Sequence, residues 1–571
     1  MMKPLDLSEN APWKQRFTVP AVRWFQVAKA NKTRGLVCAN LTGTLQLFAW
    51  DTNSGEIEQL TSRPKGTVNG ALSSNGRFLY YLADQGGNEV GHFVRQPTDG
   101  SSQPVDITPE MPPYASWSIG ESQNGRLLGF STAGQDGFKA FAIEQSETGE
   151  LSEPRQFWQS PALSFGPQLS FDGDLAVMAT TERTQTNSFS LVALNIATGE
   201  KIGELFAPDD DFKAVKFEPK AGSSRFLASS SASGYARPLI WHPHTGERQD
   251  LPLPELGGEV YAQDWSDNGR FLLLSQLYQA QMQLHLYDLE EDKLIPLDAT
   301  KGKGTFSSGR FMPNDEIWLN WENASTPPCV IALDQATGDI KRPVLPAGAV
   351  PDGRSWQSIT FAGGNNDDIQ AWVATPEGDG PFPMILHTHG GPTAVMTNRF
   401  APSAQAWLDH GFAFMSVNYH GSVTFGKAFE DSIFGYLGQL EVDDMAAAYQ
   451  WAVDNGIAKP DEVLLTGGSY GGYLTLQGLG KRPDLWAGGM ASVAIADWVL
   501  MYEDQAETLR GYQRALFGGS PDEKPEDHAA SSPITYAEAV RAPVHIIQGS
   551  NDTRCPARQL QVYEKKLQEL K

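Results

Sequence analysis

The stretch Val463-Leu464-Leu465-Thr466-Gly467-Gly468-Ser469-Tyr470-Gly471-Gly472-Tyr473 decides how the chain is read. An apolar, strand-forming run enters the pentapeptide Gly467-Gly468-Ser469-Tyr470-Gly471. A helix-compatible run, Leu474 to Leu479, leaves it. A strand that turns sharply into a helix holds its turn residue in a strained conformation, and glycines must flank it because side chains there would collide. The serine hydroxyl is then thrust above the sheet edge, where a histidine can take its proton. In a chain with 56 glycines such a pentapeptide is weak evidence alone, so the surroundings must carry the reading.

Around it, apolar strands alternate with helical segments, which predicts a parallel sheet with crossover helices. The strands are Met384–Thr388, Phe412–Val417, Val463–Leu465, Met490–Ala494 and Val544–Ile547. An amphipathic helix is expected from Val442 to Val453, with Met445, Tyr449, Trp451 and Ala452 among its apolar positions.

Three further features converge on Ser469. After the first of these strands comes His389-Gly390-Gly391-Pro392. A tetrahedral acyl intermediate needs two N–H donors for its oxyanion. One is expected from Tyr470, directly after the serine, and the other from this glycine loop, where backbone can approach closely. His389 itself is read as structural. After the last strand comes Gly549-Ser550-Asn551-Asp552-Thr553-Arg554-Cys555-Pro556, where a carboxylate that orients a histidine belongs. Asp497, after the preceding strand, competes for that role; Asp552 is favoured because its turn is the more specific sequence. The third feature is the absence of a histidine after Asp552, although the expected chain order is Ser, Asp, His. The expectation is a C-terminal truncation before the base. Activity of the chain as written should then be very low.

The N-terminal half repeats. A Ser-Asn/Asp-Gly turn precedes an apolar strand at Ser73–Gly76, Ser122–Gly125, Ser170–Gly173 and Ser266–Gly269, with weakened copies at Lys220–Gly222 and Met312–Asp315. Successive turns lie about 45–49 residues apart, in the range of propeller blades. A second, out-of-phase turn centres on Ser54–Glu56, Asp99–Gly100, Thr148–Glu150, Thr198–Glu200, Thr245–Glu247, Glu291–Asp292 and Thr337–Asp339. Two hairpins per period imply four strands per period. Residues 20–345 are therefore expected to form a seven-bladed β-propeller. A segment of residues 1–19 precedes it. A Pro/Gly linker near Leu345–Gly353 leads to an α/β domain over 346–571. Glu290-Glu291 falls on a hairpin slot and reads as a solvated turn rather than an anchor for a substrate amine.

Composition narrows the class. A net charge of −24 argues against nucleic acid and anionic membranes as partners. Three scattered cysteines give no disulfide framework or zinc spacing, and no cofactor or metal is implied. The polar N-terminus lacks a signal-peptide core, and no apolar run reaches membrane-spanning length. A cytoplasmic protein is expected.

These motifs, together with Asn418-Tyr419-His420-Gly421-Ser422 and Ser532-Pro533-Ile534, resemble the prolyl oligopeptidase family of serine peptidases, in its acylaminoacyl-peptidase-like branch. The resemblance implies a multidomain β plus α/β fold, an N-terminal propeller followed by an α/β-hydrolase domain. It implies Ser469 as nucleophile, Asp552 as the histidine's partner, and oxyanion donors at Gly391 and Tyr470. It places Trp498 and Tyr502 near the pocket for the residue before the cleaved bond; plain core packing is the alternative. The family usually has arginine where His420 stands. The substrates implied are oligopeptides, because the propeller excludes folded proteins, and a homo-oligomer is compatible with the family. An esterase of the same fold and a non-catalytic propeller-based binder are the alternatives.

Overall fold

The computed structural model describes residues 3–146, 149–184, 186–254 and 256–570. Thr148, expected in one of the repeated hairpin turns, lies outside the described residues.

From Val22 to Leu345 the chain forms antiparallel meanders, each built from one contiguous stretch. Five sheets have four strands in sequence order. The remaining sheet has nine strands and runs from Ala71 to Ser160. Its two meanders are stitched together by Tyr114–Ala115, which pairs with Val90–Gly91 on one side and Ala133 on the other. No sequence period announced that stitch.

The repeated turns explain their own residues. The Ser73, Ser122, Ser170 and Ser266 hydroxyls each accept the N–H five residues on, at 2.8–3.1 Å. The asparagines at 75, 124 and 268 accept the N–H two residues on. The glycine that follows lies at φ +74° to +77° in these three turns, where a Cβ is disfavoured. Side chains thus satisfy the turn's backbone donors and the next strand starts in register.

The first strand of each meander faces the centre of the ring. Val22–Val27 packs against Ala71–Leu72 on one side and Thr305–Met312 on the other. Among the described residues no strand is exchanged at the seam between first and last sheets. Asn320 Nδ2 donates to Val22 O at 2.9 Å, and Trp50 lies against Trp318 with centroids 5.4 Å apart. Phe25, Val37, Val330 and Leu345 complete the apolar cluster beneath them.

The C-terminal part is a seven-stranded sheet. Its order is Gln357–Ala362, Asp368–Ala374, Ala413–Asn418, Phe382–Thr388, Ala458–Gly468, Gly488–Ser492, Val544–Ile547. All five expected strands are present, and those five are mutually parallel. The antiparallel hairpin of residues 357–374 at one edge was not anticipated. The fourth expected strand stops at Ser492 because Val493 turns to φ +44°. The helix Leu440–Asp454 buries Val442, Met445, Ala448 and Ala452 at helical spacing, while Tyr449 and Trp451 are only partly covered.

The N-terminal segment does not stand apart. Its helix Pro12–Thr18 packs against the helix Pro402–Asp409 of the α/β part. The buried Arg16 pairs with Asp409 and donates to Asp352 O at 2.8 Å.

Candidate active site

Ser469 sits between the strand Ala458–Gly468 and the helix Tyr470–Lys481, with φ 56° and ψ −121°. A non-glycine residue in that region carries strain, which the surroundings must hold in place. They do so by close approach. A Cβ on Gly467 would meet the Gly471 carbonyl at 2.4 Å, and one on Gly471 would meet Thr388 O at 2.1 Å. Gly472 is pressed against Ala494 in the same way. Gly468 is different: nothing lies nearer than 3.7 Å. The spaced glycines of the pentapeptide are thus fixed by contact between strand, helix and the neighbouring strand. Ser469 N–H donates to Ser492 O at 3.0 Å, which ties the turn to the next strand.

Tyr470 is the first residue of the helix, so its N–H has no acceptor within the helix. Its side chain is buried, and its hydroxyl donates to Glu441 Oε1 at 2.6 Å. Glu441 is fully buried and also accepts the N–H groups of Gly438 and Gln439. Burial pushes its carboxyl up to about 7. This polar anchor under the turn was not legible in the sequence, since neither residue belongs to a motif for it.

The loop after Thr388 comes down beside the serine. A Cβ on Gly390 would lie 3.5 Å from the Ser469 Cβ, and Gly391 takes φ +139° ahead of a cis bond to Pro392. His389 lies behind this loop. It bonds to Gly390 O and the Ser422 hydroxyl, and stacks on Tyr419 at 4.4 Å. Burial pulls its pKa down to about 4, so the ring is neutral at pH 7. Its position supports the loop, as a structural reading of His389 requires.

The loop after Val544–Ile547 brings Asp552 to the other side. One carboxylate oxygen, Oδ1, accepts the N–H groups of Arg554 and Cys555, each at 2.9 Å. The buried Cys555 thiol lies beside Ser469. Burial, and then the Asp552 charge, push that thiol up to about 12, while Ser469 acts to lower its pKa. Cys555 is therefore the side chain that joins the two loops. It was within a quoted motif but had no role assigned, because nothing in the sequence shows which way it points.

The same loop touches the propeller. Asn551 Nδ2 donates to Gly86 O at 3.0 Å, Thr553 Oγ1 donates to Asn88 O at 2.9 Å, and Arg554 pairs with Glu89. Asp497, the competitor, has another task. It caps the helix Trp498–Asp504, with Oδ1 accepting from Val499 N and Leu500 N at 2.9 and 3.1 Å.

Trp498 is buried among Tyr470, Tyr473 and Phe517 in the core. Tyr502 lies under Arg510 and Arg514, and its hydroxyl accepts from Arg514 Nη1 at 2.8 Å. Neither makes a hydrogen bond or ring contact with Ser469 among the described residues. His420 lies between two carboxylates. Its Nδ1 lies 2.7 Å from Asp444 and its Nε2 3.1 Å from Asp367. Glu290 is exposed and pairs with Arg270 at 3.4 Å, as a solvated turn should. No histidine follows Asp552 in the 571 residues, and no described histidine is hydrogen-bonded to Ser469 or Asp552.

Residues 398–571 match the model of the prolyl oligopeptidase family. The chain carries a prolyl oligopeptidase family domain. Dipeptidyl aminopeptidase BIII of Pseudoxanthomonas mexicana is 29% identical over 280 residues, covering 44% of this chain and 39% of that protein. The acylamino-acid-releasing enzyme of Arabidopsis thaliana is 30% identical over 188 residues, covering 30% of this chain and 24% of that protein. The matched stretches thus span well under half of these curated relatives. The likeness of fold is wider. A puromycin-hydrolyzing peptidase of Mycobacterium tuberculosis superposes with TM-score 0.79 at 18% identity, over 100% of this chain and 91% of that one. The matched residues take in four of the seven strands of the α/β sheet, Ser469 and the Asp552 loop, whereas the Gly390–Gly391 loop precedes them.

Proposed function

We propose that the protein is a serine peptidase that hydrolyses short peptides through an acyl-enzyme on Ser469. The observation that carries this reading is the strained serine at a strand-to-helix turn, hemmed in by Gly467 and Gly471, with Gly390 on one side and the Cys555–Asp552 loop on the other. In this reading the amides of Gly391 and Tyr470 hold the oxyanion, and Asp552 orients the general base. In this fold the base that such a carboxylate orients is a histidine. The nine-stranded sheet counts as two blades, which makes the propeller seven-bladed over residues 20–345. It caps the hydrolase domain of residues 346–571 and admits only oligopeptides, on an acylaminoacyl or aminopeptidase pattern. Three free, buried cysteines suit a reducing cytoplasm.

The test is a fluorophosphonate probe on the full-length gene product, beside a panel of peptide and ester substrates. Labelling that disappears in Ser469→Ala, with amide turnover, is expected. Labelling unchanged in that variant defeats the proposal, and so does turnover of esters with none of amides.

A further inference from the structure

One face of the edge hairpin, residues 357–374, floors a cavity at the junction with the propeller. Thr360 is paired with Gln370, and Asp368 stands two residues before Gln370, so the three side chains share that face. The cavity above them measures about 440 Å³. The propeller supplies one wall, at Tyr235, Gly258 and Tyr278. The α/β part supplies the other, at His420 and along the helix Lys427–Asp431. Beside it the two parts are joined by Lys427 N–H, which donates to Gly234 O at 2.7 Å.

The charge in this cavity is one-sided. Among the described residues its walls carry two aspartates and no lysine or arginine. Asp368 is exposed and makes no hydrogen bond or ion pair among the described residues. The Asp367 side chain is 59% exposed. Its Oδ2 accepts from Asn365 Nδ2 at 2.7 Å and lies 3.1 Å from His420 Nε2, which leaves Oδ1 free. The nearby cations are engaged elsewhere. Arg237 lies 5.7 Å from the Tyr235 ring, with its guanidinium spent on the carbonyls of Ala236, Leu256 and Gly258. Lys427 pairs with Asp431. Aromatic surface completes the enclosure. The Tyr278 ring rests on Gly257, where a Cβ would come within 2.8 Å of it, yet the residue stays 51% exposed. Phe429 stacks on His420 at 4.4 Å, and Phe425 lies next to it on the same wall.

Carboxylates set among aromatic rings select an organic cation. A bare metal ion takes six or more oxygen ligands, and no described group of three acidic, histidine or cysteine side chains converges here. A guanidinium or ammonium group instead gives charge-assisted hydrogen bonds to carboxylates and lies against a ring face. The net charge of −24 attracts cations in general, and the rings favour those on an apolar stem. We propose that this cavity binds an organic cation, a guanidinium or ammonium group on an apolar stem, held by Asp367, Asp368 and Tyr278. Such a ligand touches both parts of the chain and braces the propeller against the α/β sheet. Ser469 and Asp552 are not among its walls, so failure here leaves the peptidase reading untouched.

The probe is butylguanidinium chloride, titrated calorimetrically into the full chain at pH 7, with butylurea as the neutral isostere. Saturable binding of the cation is expected, with the urea about tenfold weaker or more. Asp368→Asn should weaken the cation about tenfold. Tyr278→Ala should weaken it about fivefold, and Tyr278→Phe, which keeps the ring, should stay within about twofold of the parent. Both positions are exposed, so these variants keep the fold. N-acetyl-arginine N-methylamide identifies the source. Affinity within about threefold of butylguanidinium assigns the site to basic side chains of peptides, and weaker binding assigns it to free amines and guanidines. No saturable binding to the parent, equal binding of butylurea, or binding unchanged in both Asp368→Asn and Tyr278→Ala overturns the proposal.

Discussion

Arg554 grips Glu89 with two prongs, Nε and Nη2 each 2.7 Å from a carboxylate oxygen. The arginine stands two residues after Asp552, and the glutamate is at the tip of a propeller hairpin, in the left-handed region at φ 57°. Both partners are substantially exposed, so the pair adds only about 0–1 kcal/mol to stability. Its larger effect is on where the Asp552 loop sits.

Breaking that grip is expected to separate stability from turnover. In the full-length gene product, Glu89→Gln should lower kcat/KM several-fold while denaturant unfolding changes by no more than about 1 kcal/mol. The charge swap Glu89→Arg with Arg554→Glu should recover part of the loss. An unaltered kcat/KM in Glu89→Gln would show that the loop holds its place alone.

Two neighbouring glycines should answer differently to alanine. Gly471→Ala places a methyl 2.1 Å from Thr388 O, in backbone that cannot yield without moving the strand. A cost of about 3 kcal/mol or more, or failure to fold, is expected. Gly468→Ala meets nothing nearer than 3.7 Å and should unfold within about 1 kcal/mol of the parent. Urea titration of both variants decides it. Equal costs would refute the contact argument.

The two aspartates should likewise part company. Asp497→Ala removes a helix cap, for about 1 kcal/mol of stability with turnover largely kept. Asp552→Ala should lower kcat by roughly 10³–10⁴. Parallel kinetics and unfolding on the two variants give the comparison, and the reverse pattern would reassign the acid to Asp497.

His420 predicts a pH dependence of stability. Burial opposes its charge, but Asp444 and Asp367 outweigh burial and raise its pKa above the usual 6.5. Phe429, stacked on the ring at 4.4 Å, adds no charge, and Asn365 lies at 3.4 Å from Nε2. A raised histidine pKa means the folded state binds the proton more tightly. The stabilisation is complete below pH 6.5 and is lost as pH rises through the folded value. The stability advantage of the parent over His420→Gln should therefore shrink from pH 6 to pH 9. An advantage that grows over that range would reverse the assignment.

The elements around Ser469 were legible because each needs a residue that only one geometry explains. A glycine between apolar runs means close backbone approach, and a Ser-Asn-Gly triplet means a turn whose N–H groups are met by side chains. The period carried the repeated sheets for the same reason. What stayed hidden depends on direction rather than residue type. Cys555 points at Ser469, Glu441 reaches under Tyr470, and Tyr114–Ala115 bridges two meanders, yet the sequence of each fits other placements. Trp498 is a further case. Its place after a strand fits a pocket wall or a core position equally, and only the structure shows the rings of Tyr470, Tyr473 and Phe517 around it.

The seam between Val22–Val27 and the last sheet has a mechanical consequence. Every other pair of neighbouring sheets in the ring is tethered by the polypeptide that runs from one to the next. Here, among the described residues, the fastenings are few: Asn320 on Val22 O, Trp50 on Trp318, and one backbone bond from Gly348 N–H to Pro20 O at 2.9 Å. The ring is thus a bracelet with one clasp, and any widening that leaves its links intact must begin there.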